Sequence, residues 1–367
     1  MDREGLAAVV ARSGQNFSYL SGAAYSWKLG TFARHLDMTD SDRSVLLLWP
    51  RKGDPVVIAN AMTLELTRKN SWLKRFAVYD AYNESPYHRL CEVIKEAGLA
   101  EERIGFEKNF VSAGHWEEVR AQLPRIKMVD CVSMMNQVRW VKTPAEIDLI
   151  KNAADLLDDA FLEVFLSIRP GEAEGEIHAR MLDACRRRGA DWTHGILHSG
   201  RSDRPLSQDG NVAFKTGDVI RTDFITYLQR YPGHASRNAV LGMPSADLKN
   251  EYRLYRDIYR RTMNRFRPGV RAGEVYAFLI EDCKRNGWTY ESPMAGHGVG
   301  AWWHQQEPII ARGRDIPLEE GMVLALQPLG LPPGKGYLHL QDLILVERDG
   351  PRLLSDKFST DEIFTIT

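Results

Sequence analysis

The sequence predicts an α/β (α+β) chain of two domains, the second built from two pseudo-symmetric halves. Three observations predict it. Short β-type runs alternate with helical stretches over residues 1–138. A capping box with proline at the first helical position, Thr143-Pro144-Ala145-Glu146, then opens a new region that runs over 139–367. Within that region a motif repeats at one offset of 98 residues: Arg169-Pro170-Gly171, Gly175-Glu176-Ile177, Cys185 and Gly189 return as Arg267-Pro268-Gly269, Gly273-Glu274-Val275, Cys283 and Gly287.

In the first domain, Val45-Leu46-Leu47-Leu48-Trp49 and Pro55-Val56-Val57-Ile58-Ala59 read as strands across a turn at Arg51-Lys52-Gly53-Asp54. Residues His88 to Ala97 read as an amphipathic helix ending near Gly98, and Arg103–Phe106 and Ile126–Val129 as further strands. In the second domain the helix over 143–168 carries Ile147, Ile150, Leu157, Phe161 and Phe165 on its apolar side and stops at Pro170-Gly171. A second long helix is expected over 245–266. A β-rich stretch follows each copy of the motif, opening on Gly217-Asp218-Val219 or Gly321-Met322-Val323.

The duplication also says where chemistry belongs. A cleft between two such halves is a usual ligand site. Asp223 and Gln327 each lie six residues past the opening glycine and are expected to be symmetry mates, while His234 and Gln341 fall later in the same two hairpins.

Composition narrows the classes of partner. Of 367 residues 44% are hydrophobic and 26% charged, as in a globular protein, and the formal net charge is −1, which offers no field for nucleic acid or an anionic membrane. No apolar run reaches membrane-spanning length. The opening Met1-Asp2-Arg3-Glu4-Gly5 lacks the pattern of a signal peptide, so a cytoplasmic location is expected. Cys91, Cys131, Cys185 and Cys283 form no C-x-x-C pair and are expected to be free thiols, Cys185 and Cys283 at helical spacing among apolar residues.

The second domain resembles the creatinase/prolidase/aminopeptidase P ("pita-bread") superfamily over about 139–355. The resemblance rests on Arg139-x-Val141-Lys142-Thr143-Pro144-Ala145-Glu146-Ile147, on Gly296-His297-Gly298-Val299-Gly300 followed by His304, and on Gln341-Asp342-x-Ile344-Leu345-Val346. In the first domain, Asn16-Phe17-Ser18-Tyr19-Leu20-Ser21-Gly22 is similar to the family's N-terminal segment. The resemblance implies a pita-bread second domain behind a creatinase-like N-terminal domain, and a homodimer.

Metallopeptidases of that family hold two metal ions with Asp, Asp, His, Glu and Glu. Along the motif these positions are Asp223, His234, His297, Gln327 and Gln341 here, and Arg237 falls on the family's arginine. Four balancing carboxylates are reduced to one. Two divalent cations about 3.5 Å apart repel by roughly 19 kcal/mol even at an effective dielectric near 20, so a two-ion centre is not expected. The expected cofactor is none. The alternative is one divalent ion on Asp223, His234 and His297, a two-histidine, one-carboxylate set.

The leading expectation is therefore hydrolysis of an amide, lactam or amidine C–N bond in a small non-peptide molecule. His297 and His304 supply acid/base chemistry together with Asp223 and His234, and Gln327, Gln341 and Arg237 bind the substrate. The alternatives are a one-metal Xaa-Pro-type dipeptidase or lyase, and a binding module without catalysis. His198 is read equally as a pocket or a core residue. Trp302 and Trp303 point to opposite faces if they sit on a strand, and Trp302 is assigned to the pocket. Arg34 stands where related small-molecule hydrolases send an arginine into the partner subunit's site.

Overall fold

The computed structural model describes residues 1–23, 44–200, 212–290, 292–330 and 338–367, so Arg34 lies outside the described residues. The chain divides into two units, Met1–Val138 and Arg139–Thr367.

The first unit is one mixed sheet in the order β4-β3-β2-β1-β5-β6. Its strands are β1 (Ala8–Arg12), β2 (Leu46–Pro50), β3 (Val56–Asn60), β4 (Arg75–Tyr79), β5 (Arg103–Phe106) and β6 (Lys127–Asp130). Strands β2 and β3 pair antiparallel with Leu47 opposite Val57, as a hairpin across Arg51–Asp54 requires. Helix Pro86–Glu96 begins at Ser85, whose side chain accepts from the Tyr87 amide, and buries Leu90, Cys91 and Ile94 against the sheet.

In the second unit the helix Pro144–Ser167 starts with the reciprocal capping box read from the sequence. The Thr143 amide donates to Glu146 Oε2 at 2.9 Å and the Glu146 amide to Thr143 Oγ1 at 3.3 Å. Just before it, Lys142 is 6% exposed and its Nζ donates to the Trp140 carbonyl at 2.9 Å. Burial pushes its ammonium down to about 7, with Glu146 opposing and Arg139 adding to the shift. The unfolded chain therefore binds more protons here than the native one between pH 7 and the free-lysine value, and stability must rise with pH across that window. Lys142→Met should remove this rise. Thermal unfolding at pH 7 and pH 9 should show the wild type gaining about 1–2 kcal/mol relative to the variant, and parallel pH profiles would refute the assignment.

The two halves build matching cores. In the first, Leu157, Phe161 and Phe165 of helix Pro144–Ser167 and Ile177, Met181 and Cys185 of helix Glu174–Arg187 pack on Leu197 and Phe224 of their sheet. In the second, Tyr252, Tyr255 and Tyr259 of helix Ala246–Met263 and Val275, Leu279 and Cys283 of helix Ala272–Arg285 pack on Leu324, Leu326 and Ile344. Cys185 and Cys283, mates in the sequence repeat, thus fill equivalent core positions. All four cysteines are free and buried, and burial raises both of these thiols, Cys283 to about 11.

The first half's sheet has the order β18-β10-β8-β7, with β9 also on β8, and comprises β7 (Trp192–Ser199), β8 (Val219–Leu228), β9 (Tyr231–Ala235), β10 (Asn238–Leu241) and β18 (Phe364–Ile366). The second half's sheet has the order β12-β11-β13-β16-β17, from β11 (Met294–Gly300), β12 (Trp303–Ala311), β13 (Val323–Leu326), β16 (Asp342–Glu347) and β17 (Gly350–Leu353). Two short strands, β14 (Leu329–Gly330) and β15 (Leu338–His339), pair with each other. An isolated antiparallel bridge between Ser236 and Gln341 joins the two halves.

Candidate active site

Register decides which side chains face the cleft. On β7 and β8, Ile196 lies opposite Asp223, His194 opposite Ile225 and His198 opposite Arg221. Side chains alternate along a strand, so these share one face, while Leu197 and Phe224 turn to the helices. Ile225 is also opposite His234 of β9, which brings His234 onto the face of Asp223.

Gly233 makes this possible. A Cβ there would meet the Ala153 carbonyl oxygen at 2.2 Å, so β9 rests directly on the helix backbone. Gly233→Ala should displace His234 and destabilise the unit by about 1–3 kcal/mol. Denaturant unfolding measures the loss, and an unchanged midpoint would show that the contact yields freely.

His234 is fixed at both nitrogens. Its Nε2 lies 2.9 Å from Asp223 Oδ1, and Gln341 Nε2 lies 2.9 Å from its Nδ1. Ser236 Oγ donates to Gln341 Oε1 at 3.0 Å, which orients that amide with its nitrogen toward His234. Direction follows from donor chemistry: the Gln341 amide donates to Nδ1, so the proton of neutral His234 is on Nε2 and is donated to the Asp223 carboxylate. Burial favours a neutral Asp223, but His234, His339 and His194 outweigh it and hold the carboxyl at about 2.

His297, on β11, hydrogen-bonds through Nδ1 with the Gly298 carbonyl at 3.0 Å. Burial, then the neighbouring His234, lowers its pKa to about 3, so it is neutral at physiological pH. The His297 ring stacks near His234 at 5.4 Å, and His304 meets His234 edge-on at 4.7 Å. His304 Nδ1 is 3.1 Å from the Tyr227 hydroxyl. Asp223, His234, His297 and His304 are thereby gathered into one cluster.

The other expected site residues divide. Gln341 belongs to the chain of hydrogen bonds described above. Gln327 follows β13, where its backbone amide donates to the Ala295 carbonyl at 2.8 Å, and its side chain bonds to no described residue. His198 is 1% exposed on the Asp223 face, its Nδ1 4.0 Å from the fully buried carboxylate of Glu174.

Two assignments are corrected. Arg237 is not available to a substrate: it is 0% exposed, with Nη2 2.8 Å from Asp158 Oδ1 and Nη1 2.8 Å from Asp342 Oδ1. Trp302 is not on a strand. It sits in the β11–β12 turn with φ 69°, against the Arg230 guanidinium, and Trp303 is the tryptophan that touches His304, at 4.1 Å.

Several neighbours escaped the sequence reading. Tyr227 holds His304, Ser236 holds Gln341, and Trp192 stacks on His194 at 4.3 Å. His339 is 5% exposed and interacts with Asp223, and its Nε2 has no hydrogen-bond partner. Burial lowers its pKa to about 4. Strand alternation was the available signal, since it puts residues 339 and 341 on one face.

Comparison with known proteins agrees with this architecture. Residues 1–141 match the creatinase/prolidase N-terminal domain, and residues 148–348 match metallopeptidase family M24. The Xaa-Pro dipeptidase of Lactobacillus helveticus is 25% identical over 327 residues, covering 85% of this chain and 86% of that protein. The probable dipeptidase PepE of Mycobacterium bovis is 25% identical over 360 residues, covering 94% and 89%. The structure of the X-Pro aminopeptidase from Thermotoga maritima superposes with a TM-score of 0.83 at 22% identity, covering 100% of this chain and 99% of that one. The chain belongs to metallopeptidase family M24, a family of hydrolases, and carries the pita-bread fold behind a creatinase-type N-terminal domain.

These findings overturn two expectations. Hydrolysis of a non-peptide C–N bond does not agree with relatives that are Xaa-Pro dipeptidases. The expectation of no cofactor does not agree with a metallopeptidase family, to which the alternative of one divalent ion is closer. The two-ion centre does not fit the side chains present. Among the described residues no group of three or more His, Cys, Asp or Glu is placed to hold a metal ion. A single ion on Asp223, His234 and His297 requires His234 to give up either Asp223 or Gln341, because both its nitrogens are engaged. No helix among the described residues is long and apolar enough to cross a membrane.

Proposed function

We propose that this protein is a small-peptide hydrolase of the Xaa-Pro dipeptidase kind. The observation that carries the reading is that relatives named Xaa-Pro dipeptidases match across both domains, while His297 and His304 stay side by side in the cleft at 5.8 Å between rings. In this reading Asp223 and the imidazoles around it bind and orient the peptide. His304, steadied at Nδ1 by Tyr227, moves a proton to the departing nitrogen through Nε2. A homodimer in the cytoplasm belongs to the same proposal.

The test is proline release from Ala-Pro and Gly-Pro, followed by mass spectrometry, with purified full-length protein alone and with added Mn²⁺, Zn²⁺ or Co²⁺. Release is expected above the blank and should fall by about 10²-fold or more in His304→Ala, the range that a positioned acid/base supplies. No release from a panel of Xaa-Pro dipeptides under any of these conditions would overturn the proposal.

A further inference from the structure

A guanidinium buried in a protein needs an anionic partner, because arginine does not lose its proton there. Arg237 meets that need with two carboxylates. Arg12, which ends β1 in the first unit, does not. It is 5% exposed, and its Nε and Nη1 are buried without a hydrogen-bond partner. The guanidinium lies over the Phe110 ring, 5.5 Å from the centroid. A ring face attracts the charge but does not replace a carboxylate. Glu107 is close in the backbone pattern but turned elsewhere. Its Oε2 accepts from the Arg12 amide at 2.7 Å and its Oε1 from Asn16 Nδ2 at 2.6 Å. Alternation puts Arg12 on the face of Ala8 and Val10, which pack with Leu90, Val119 and Phe106 of β5. Glu107, next to Phe106, therefore falls on the opposite face.

Strands β1 and β5 are parallel neighbours with Val10 level with Phe106, so Arg12 and Lys108 stand two residues further on, at the carboxyl ends of both. In open α/β sheets, ligands bind outside those ends. Lys108 is exposed, and its ammonium lies 5.9 Å from the Trp116 ring of the helix Ala113–Gln122. On the neighbouring strand β6, Asp130 Oδ1 accepts from the Lys108 and Val132 amides at 3.3 and 3.2 Å. One cation is thus buried without a counter-charge, and a second stands at the rim. We propose that the carboxyl end of β1 is a binding site for a small oxyanion, phosphate or carboxylate, held by Arg12 and drawn in by Lys108. The planar guanidinium offers paired N–H groups to two oxygens at once, which suits either oxyanion and not chloride. Entry requires the turn Lys108–Phe110 to yield, and none of its three residues is buried. The site lies in the first unit and does not depend on the reading of the cleft.

Two measurements on the full-length protein test the site. Thermal unfolding is followed while sodium phosphate or sodium acetate replaces sodium chloride at constant ionic strength, and hydrogen exchange is mapped in the same solutions. At least one oxyanion should raise the thermal midpoint, and the rise should saturate, unlike the general effect of excluded salts. The same oxyanion should slow exchange in the peptides that cover residues 10–14 and 107–112. Phosphate acting alone marks a phosphorylated ligand, and acetate acting as well marks a carboxylate. Arg12→Met keeps the apolar stem and removes the charge. It should raise the half-saturating concentration at least about tenfold, as expected for loss of charged hydrogen bonds. Arg12→Lys should restore little of this, because an ammonium lacks the paired geometry. Lys108→Ala should weaken binding about threefold, the scale of an exposed ion pair. Equal midpoints in all three salts, slowed exchange confined to the second unit, or an unchanged response in folded Arg12→Met would overturn the site. The exchange map needs no variant, and it decides the matter if Arg12→Met does not fold.

Discussion

Replacing Arg237 with leucine is expected to destabilise the second unit by about 3–5 kcal/mol, the usual loss when one partner of a buried ion pair is removed. Arg237 is wholly buried between the carboxylates of Asp158 and Asp342, themselves 0% and 2% exposed. Its Nη1 also donates to the Gln341 carbonyl at 2.7 Å and the Ser236 carbonyl at 3.1 Å. Asp158 Oδ2 accepts from the Lys357 and Phe358 amides at 3.2 Å, and Asp342 Oδ2 from the Tyr259 hydroxyl at 2.8 Å. One guanidinium thus ties together both long helices, the strand that follows Gln341 and the C-terminal segment. Without it, two carboxylates remain in a dry interior with no cation. Arg237→Lys should fall well short of full rescue, because a single ammonium cannot serve two carboxylates and two carbonyls in fixed directions. Adding Asp158→Asn and Asp342→Asn to Arg237→Leu should recover part of the loss by removing the stranded charges. Denaturant unfolding decides the matter, and a loss below about 1 kcal/mol for Arg237→Leu would mean that water reaches the site.

Much of this fold was legible because local signals and the repeat agreed. The capping box at Thr143 places the start of the helix Pro144–Ser167, and the shared offset of Cys185 and Cys283 anticipates two equivalent cores. Spacing also brought Asp223 and His234 together. What spacing could not supply was direction. Which nitrogen of His234 faces Asp223 depends on Gln341, and the way that amide points depends on Ser236, a contact spanning 105 residues. Arg237 was misread for a related reason. Its position in the motif says nothing of burial, and its partner Asp158 is 79 residues away in the sequence. Trp302 failed because strand alternation was applied to a residue in a turn. The substrate class was misjudged by treating the loss of carboxylates as evidence against peptides, when it bears on how charge is balanced and not on which bond is cut.

That balance can be altered deliberately. The combined variant His234→Asp, Gln327→Glu and Gln341→Glu adds three carboxylates to Asp223 and restores every ligand type of the two-ion pattern. It should take up close to two Mn²⁺ ions per chain in equilibrium dialysis, against at most one for the wild type. Metal-free, the variant should be less stable than the wild type. The carboxylate that replaces the His234 imidazole cannot donate to Asp223, and like charges a few ångströms apart repel by several kcal/mol at an effective dielectric near 20. Added metal should reverse this, by about 2.7 kcal/mol at a free concentration one hundred times the dissociation constant. The single change Gln341→Glu separates the contributions. A carboxylate cannot donate to His234 Nδ1, so the neutral ring must move its proton to Nδ1 and turn a lone pair toward Asp223, or else become charged between two carboxylates. Either outcome is visible in the ¹⁵N shifts of His234, and neither requires metal. If the triple variant binds no more metal than the wild type and gains no thermal stability from it, then the shape of the cleft, and not its missing charge, prevents a two-ion centre.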